Sequence, residues 1–253
     1  MSGPAFRCQS GTFTHQGCVR GHNEDSFHAD QESGLWAVAD GMGGHESGER
    51  ASAVIVEELA GGVGARAFDD ACGEVADRIH RANGLIYQEA EARGVQMGST
   101  VVALYVDDRR FAIFWVGDSR AYLLRGGTLY QISRDHTQLQ DMIERGFLAP
   151  EDAADHPMGH VLARAVGVAP EVEVDVIQDE VEPGDTFLLC SDGLHGCLGD
   201  DTIAAVLADP SIEAAARTLV DLTLEAGAPD NVTVVAVRFS EATMLDLPTG
   251  AAA

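Results

Sequence analysis

Short apolar stretches rich in Val, Tyr, Phe and Ile, each bounded by turn residues, recur at 34–40, 99–106, 110–117, 120–125 and 128–132. Runs of this length and composition predict β-strands. The connections Asp107-Asp108, Asp118-Ser119 and Gly126-Gly127 have hairpin length, so the middle strands are expected to form an antiparallel meander. Further strands are expected at 172–178, 185–191 and 232–239. A second rhythm, charged residues interleaved with Ala, Val, Ile and Leu at helical spacing, predicts helices over 46–60, 68–93, 138–145, 201–207 and 211–225. Strands follow strands and helices are segregated from them, which points to an α+β layered fold, not a doubly wound βαβ sheet.

From 134 to 167 the rhythm breaks into a short helix and an Asp-, Pro- and His-rich loop, the pattern of an inserted flap. After Glu241 periodicity is lost, which predicts a disordered tail over 242–253. Residues 1–241 are therefore expected to form one domain, a size at which a single full core can be built.

Charge narrows the function. The net charge of −25 is spread along the chain and no basic run exists, so a nucleic-acid or anionic-membrane partner is not expected. All 16 basic residues are arginine. That removes the P-loop NTPases, the protein kinases and the Schiff-base enzymes, each of which needs a lysine. Cys8, Cys18, Cys72, Cys190 and Cys197 are odd in number and lack C-x-x-C spacing, as expected of reduced thiols. With no apolar signal region and no run of about 20 apolar residues, a cytoplasmic protein is expected, and a monomer.

Chemistry enters with five aspartates. Asp40-Gly41, Asp118-Ser119, Asp192-Gly193 and Asp230-Asn231 sit at strand ends or turns, and Asp25 lies in a loop before the first expected strand. Any one of them reads most simply as turn punctuation. Two of them, however, follow strongly apolar runs, 35–39 and 187–191, which puts a carboxylate at the mouth of a core. Several carboxylates meeting there would repel one another unless cations compensate them. Oxygen-only donors suit hard ions such as Mg²⁺ or Mn²⁺.

The ordered set Arg20-Gly-His-Asn-Glu24-Asp25, Ala39-Asp40-Gly41-Met42-Gly43-Gly44-His45, Gly98-Ser99-Thr100, Gly117-Asp118-Ser119-Arg120, Leu188-Leu-Cys-Ser-Asp192-Gly193-Leu194 and Asp230-Asn231-Val-Thr-Val resembles the PP2C-type (PPM) serine/threonine phosphatases of bacteria. The resemblance covers nearly the whole chain. It implies an α-β-β-α sandwich of two antiparallel sheets between helix pairs, with metals in a cleft at one end. Carried over by residue, Asp40 would bridge two metals, the Gly41 carbonyl would ligate one, and Asp192 and Asp230 would complete the other. Glu24 and Asp25 would act largely through water, Asp118 with Asp192 would hold a weaker third metal, and Arg20 would grip the substrate phosphate. The implied reaction is hydrolysis of phosphoserine or phosphothreonine in proteins by a metal-activated water, without a phosphoenzyme. Implied partners are phosphoproteins, a serine/threonine kinase or its phosphothreonine-binding adaptor among them.

Many eukaryotic members have a histidine where this chain has Met42, which leaves the general acid unassigned. His45 is the first candidate, with His136 and His160 behind it; a loop histidine with no catalytic part is an equal reading of each. The flap resembles bacterial members through Asp135-His136, Glu144-Arg-Gly146, His156-Pro157 and the run 161–167, and departs at Met158-Gly159-His160.

Competing motifs fail. Cys72 and Arg78 match C-x₅-R, but in an expected helix whose N–H groups are already used. Gly117-Asp-Ser119 is half of a nucleophile elbow, and Gly61-Gly62-Val-Gly64 reads as a helix cap. Two rivals share the aspartates: a hydrolase of small phosphorylated molecules, and a non-catalytic scaffold, whose hallmark would be a missing ligand.

Overall fold

The computed structural model describes residues 6–44, 46–65, 67–149, 156, 158–159 and 161–241. His45, His160, Pro157 and the expected tail at 242–253 lie outside the described residues.

Strands of the first sheet are β1 (Phe6–His15), β7 (Arg120–Arg125), β8 (Thr128–Gln131), β10 (Thr186–Cys190) and β11 (Val232–Glu241). Their order is β1-β11-β10-β7-β8. The second sheet orders β2 (Asp25–Asp30), β3 (Leu35–Met42), β5 (Val101–Asp107), β6 (Arg110–Val116) and β9 (Asp175–Glu180), with β4 (Gly98–Ser99) paired to the end of β3. Every named pairing is antiparallel. The helices α1 (Glu46–Leu59) and α2 (Phe68–Arg93) cover the second sheet. Helices α4 (Asp192–His195), α5 (Asp200–Leu207) and α6 (Ile212–Glu225) cover the first. A further helix, α3 (Gln138–Glu144), lies between β8 and β9.

Period-two side-chain alternation turns these strands into walls of three apolar layers. Leu35, Ala37 and Ala39 of β3 face α1 and α2, while Trp36 and Val38 face the other sheet. In β10, Leu188 and Cys190 face the helices and Phe187 and Leu189 the facing sheet. Burial on both faces explains why these strands read as unbroken apolar runs although the sheets are antiparallel. Each large side chain so buried stabilises the fold by about 1.5–3 kcal/mol.

Three expectations need correction. First, the middle strands are not one meander. β5–β6 and β7–β8 are hairpins, but β6 belongs to one sheet and β7 to the other, so Gly117-Asp118-Ser119 carries the chain between sheets. A link of two or three residues has hairpin length in sequence whether it turns back or crosses over. Gly117 makes the crossing feasible: its φ is 106°, and a Cβ there would lie 2.6 Å from Thr100 Cγ2. Second, Asp25 is not in a loop but opens β2, opposite Asp40 in the β2–β3 register. Third, β1 and the short α4 carry no clear local signal. Polar residues fill β1, whose partner β11 lies at the far end of the chain, so no local turn marks it. The strand expected at 172–178 runs instead over Asp175–Glu180.

Candidate metal centre and active site

At one end of the sandwich the carboxylates arrive on separate elements. Asp40 rides on β3, Asp25 opens β2, Asp118 lies in the sheet-to-sheet crossing, Asp192 opens α4, and Asp230 precedes β11. Asp40, Asp118, Asp192 and Asp230 line one cleft of about 550 Å³ together with Arg20, Glu24 and Gly41. Asp25 is buried behind it, 8% exposed.

Backbone contacts hold this assembly. The Glu24 carbonyl accepts from Gly41 N–H at 3.2 Å and from the Ser52 hydroxyl at 2.6 Å. Asn231 accepts from Glu24 N–H at 2.8 Å and donates to the carbonyls of Gln16 and His22 at 2.9 and 2.8 Å. Gly41 has no alternative: a Cβ would stand 2.0 Å from the Gly48 carbonyl oxygen. The same holds for Gly193, whose Cβ would stand 1.9 Å from the Asn231 carbonyl oxygen.

Electrostatics show what the site would attract. Asp25 and Asp40 face each other across an antiparallel ladder, where like charges destabilise. Burial pushes the Asp25 carboxyl up to about 7, with Asp192 and Asp230 adding to the rise against opposing hydrogen bonds. Asp118 is also pushed up to about 7, by burial and then by Asp192 and Asp135. Asp40 is raised well above the carboxylate range by removal from water and then by Asp25, Asp192, Asp118 and Asp230. Such a group wants either protons or cations.

Metals fit the donors. The Asp25 Oδ1 atom is buried with no hydrogen-bond partner, and the donor set is oxygen-only, as hard divalent ions require. Among the described residues no group of three or more His, Cys, Asp or Glu is drawn together tightly enough to hold an ion as it stands. Among the described residues the cations on the cleft wall are Arg20 and Arg164. Arg20 donates to Asp230 at 2.7 Å.

His136 is elsewhere. Its Nδ1 accepts from Gly117 N–H at 3.1 Å, its Nε2 meets Asp175 at 3.2 Å, and its ring stacks on Trp115. Both nitrogens are used and the side chain is only 11% exposed, so His136 is not an exposed loop residue, one of the two readings the sequence left open for it. It anchors the root of the 134–167 segment, beside Arg164, which reaches Asp175 at 2.7 Å and also lines the cleft.

Two supporting residues carried no role in the sequence reading. The Ser191 hydroxyl donates to Asp25 Oδ2 at 2.8 Å and accepts from Thr233 N–H at 3.0 Å. Thr100 Oγ1 accepts from Asp40 N–H at 3.1 Å and meets the Ser119 hydroxyl at 2.6 Å. The only local hint was a polar residue interrupting an apolar strand end. Cys72 and Arg78 both lie inside α2, and the Gly62 N–H bonds back to Leu59 as the α1 cap. All five cysteines are free.

Two facing antiparallel sheets between helical layers, with acidic side chains gathered at one end, define a PP2C-like sandwich. The chain belongs to the protein phosphatase 2C family, whose model matches residues 19–226. It is 38% identical over 222 residues to the serine/threonine protein phosphatase PstP of Mycobacterium tuberculosis, covering 87% of this chain and 43% of that protein. The chain thus spans less than half the length of that relative. The solved structure of PppA, described as a key regulatory component of T6SS in Pseudomonas aeruginosa, superposes with a TM-score of 0.87 at 40% identity, over 94% of this chain and 100% of that one. The catalytic domain of PstP in complex with 2 manganese ions superposes at 0.84 and 34% identity, over 93% and 100%. Among the described residues no helix is long and apolar enough to cross a membrane.

Proposed function

We propose that this protein hydrolyses phosphoserine and phosphothreonine in phosphoproteins, reversing serine/threonine kinase signalling. One observation carries the reading: carboxylates from five separate chain segments share one end of the sandwich, beside a cleft walled by Arg20. Asp40, the Gly41 carbonyl, Asp192 and Asp230 would hold two Mn²⁺ or Mg²⁺ ions. Glu24 and Asp25 would act through water, and Asp118 with Asp192 would hold a weaker third ion. When bound, such ions activate water as a nucleophile and neutralise charge on the phosphoryl oxygens.

The remaining work falls to the chain itself. Arg20 is exposed at the cleft wall and offers a planar fork of N–H donors to a phosphate. Ser191 and Thr100 fix Asp25 and the Asp40 backbone, so the donors do not have to be ordered at the moment of reaction. The leaving alkoxide needs a proton, and His45 is proposed as its source from its place three residues after Met42. His45→Ala should then slow alkyl phosphates far more than aryl phosphates, and an equal loss on both removes His45 from this role.

The substrate phosphoprotein is proposed to be a serine/threonine kinase or its phosphothreonine-binding adaptor, met by a monomer in the cytoplasm. A metal series on a phosphopeptide panel, with and without chelator, tests the activity. Phosphothreonine peptide should be preferred to nucleotides and sugar phosphates at equal concentration; the reverse preference would assign a small-molecule hydrolase instead.

A further inference from the structure

A second concavity, of about 370 Å³, adjoins the acidic cleft. Its wall comes from the C-terminal part of α2, the loop before β4 and the end of the 134–167 segment: Tyr87, Val95, Met97 and Val168, with Met42 and Gly43 at the rim. Met42, Gly43 and Val168 line both hollows, so the two are continuous.

Three features distinguish this groove from ordinary surface. Val168 is 59% exposed and Val95 38% exposed, although both are apolar and sit together. A mainly apolar hollow of a few hundred Å³ is the usual form of a binding pocket. Among the described residues the only charged one on its wall is Glu91, which disfavours an acidic occupant. Two of its residues, Met42 and Met97, are methionines, which adapt to differently shaped apolar groups.

Geometry ties the groove to the scissile phosphate. Met42 stands two residues beyond Asp40 in the extended β3, an advance of about 7 Å. An extended peptide advances about 3.3–3.6 Å per residue. A side chain roughly two or three residues from a phosphothreonine held at Asp40 therefore reaches the groove.

Resting on the phosphatase reading, we infer that this groove is a specificity subsite that receives one large apolar side chain of the phosphoprotein substrate, close in sequence to the phosphorylated residue. Continuity with the acidic cleft selects this occupant: whatever chain delivers its phosphate to Asp40 must cross the shared rim of Met42, Gly43 and Val168. The subsite favours neutral apolar side chains and rejects Asp or Glu, because an acidic group would be desolvated beside Glu91.

The test uses the Mn²⁺-loaded full chain and phosphothreonine peptides in which a single Leu is moved through the about three positions on either side of an otherwise Ala/Ser background. Leu at one position should raise kcat/KM by about tenfold over Ser there, and Asp should lower it. Val95→Asp and Tyr87→Ala, at groove positions outside the acidic cleft, should abolish that preference while leaving turnover of p-nitrophenyl phosphate, which is too small to reach the groove, unchanged. Equal turnover of all peptides, or a preference that survives both substitutions, overturns the subsite. Sedimentation that shows a dimer lost on Val95→Asp, with no peptide preference, overturns it in favour of a second copy as occupant. If p-nitrophenyl phosphate and every peptide are untouched with metal present, the phosphatase reading itself has failed, an outcome distinct from failure of the groove.

Discussion

Arg20 Nη2 donates to Asp230 Oδ2 at 2.7 Å, so the cation proposed to grip phosphate is bound to a carboxylate proposed to hold metal. The pair is largely exposed, and exposed ion pairs contribute at most about 1 kcal/mol. Arg20 is therefore loosely enough held to exchange Asp230 for a phosphate once divalent ions neutralise that carboxylate.

Arg20→Ala should raise KM by about tenfold and change kcat by less than about threefold, since it removes phosphate binding already present before the transition state. Steady-state kinetics on a phosphothreonine peptide decides. A collapse of kcat at constant KM would assign Arg20 to the transition state instead.

Asp192 is proposed as a ligand of one core ion and of the weaker third ion, and its charge raises the proton affinity of Asp25, Asp40 and Asp118. Asp192→Asn should lower p-nitrophenyl phosphate turnover by roughly a hundredfold or more and weaken Mn²⁺ binding by calorimetry. Near-normal turnover would remove Asp192 from the mechanism.

Ser191 is fully buried and serves both Asp25 and the Thr233 N–H. Ser191→Ala leaves one acceptor and one donor without this partner and should cost about 1–3 kcal/mol in urea unfolding. No loss of stability would mean that other groups already satisfy Asp25 and Thr233.

His136 is held below the usual histidine range, by burial and then by Arg164. Its folded pKa lies below its unfolded one, so the unfolded chain binds more protons in that window and stability rises with pH through it. The contribution is complete above the unfolded value of about 6.5 and is lost as pH falls through the folded value. His136→Asn, which can still accept from Gly117 N–H but does not titrate, should flatten this part of the stability profile below about pH 6.5. An unchanged profile would place the titration elsewhere, His28 being the other histidine lowered by burial.

Much of the architecture was legible from local pattern. The helix expected over 68–93 is α2 from end to end, and the strand expected over 120–125 is β7, because periodicity and turn chemistry act over a few residues. The candidate aspartates were also visible, each beside a Gly, Ser or Asn at a strand end, turn or loop. Proximity was not visible. Ser191 meets Asp25 across 166 positions and Asn231 meets Glu24 across 207, and no local period encodes such contacts. The Gly117–Ser119 link has the same length whether it closes a hairpin or crosses between sheets, and only burial of β6 and β7 in opposite walls of one core decides which. That packing carries Asp118 to the cleft and draws His136 away from it, so the residue types came from the chain and the chemistry they share came from the fold.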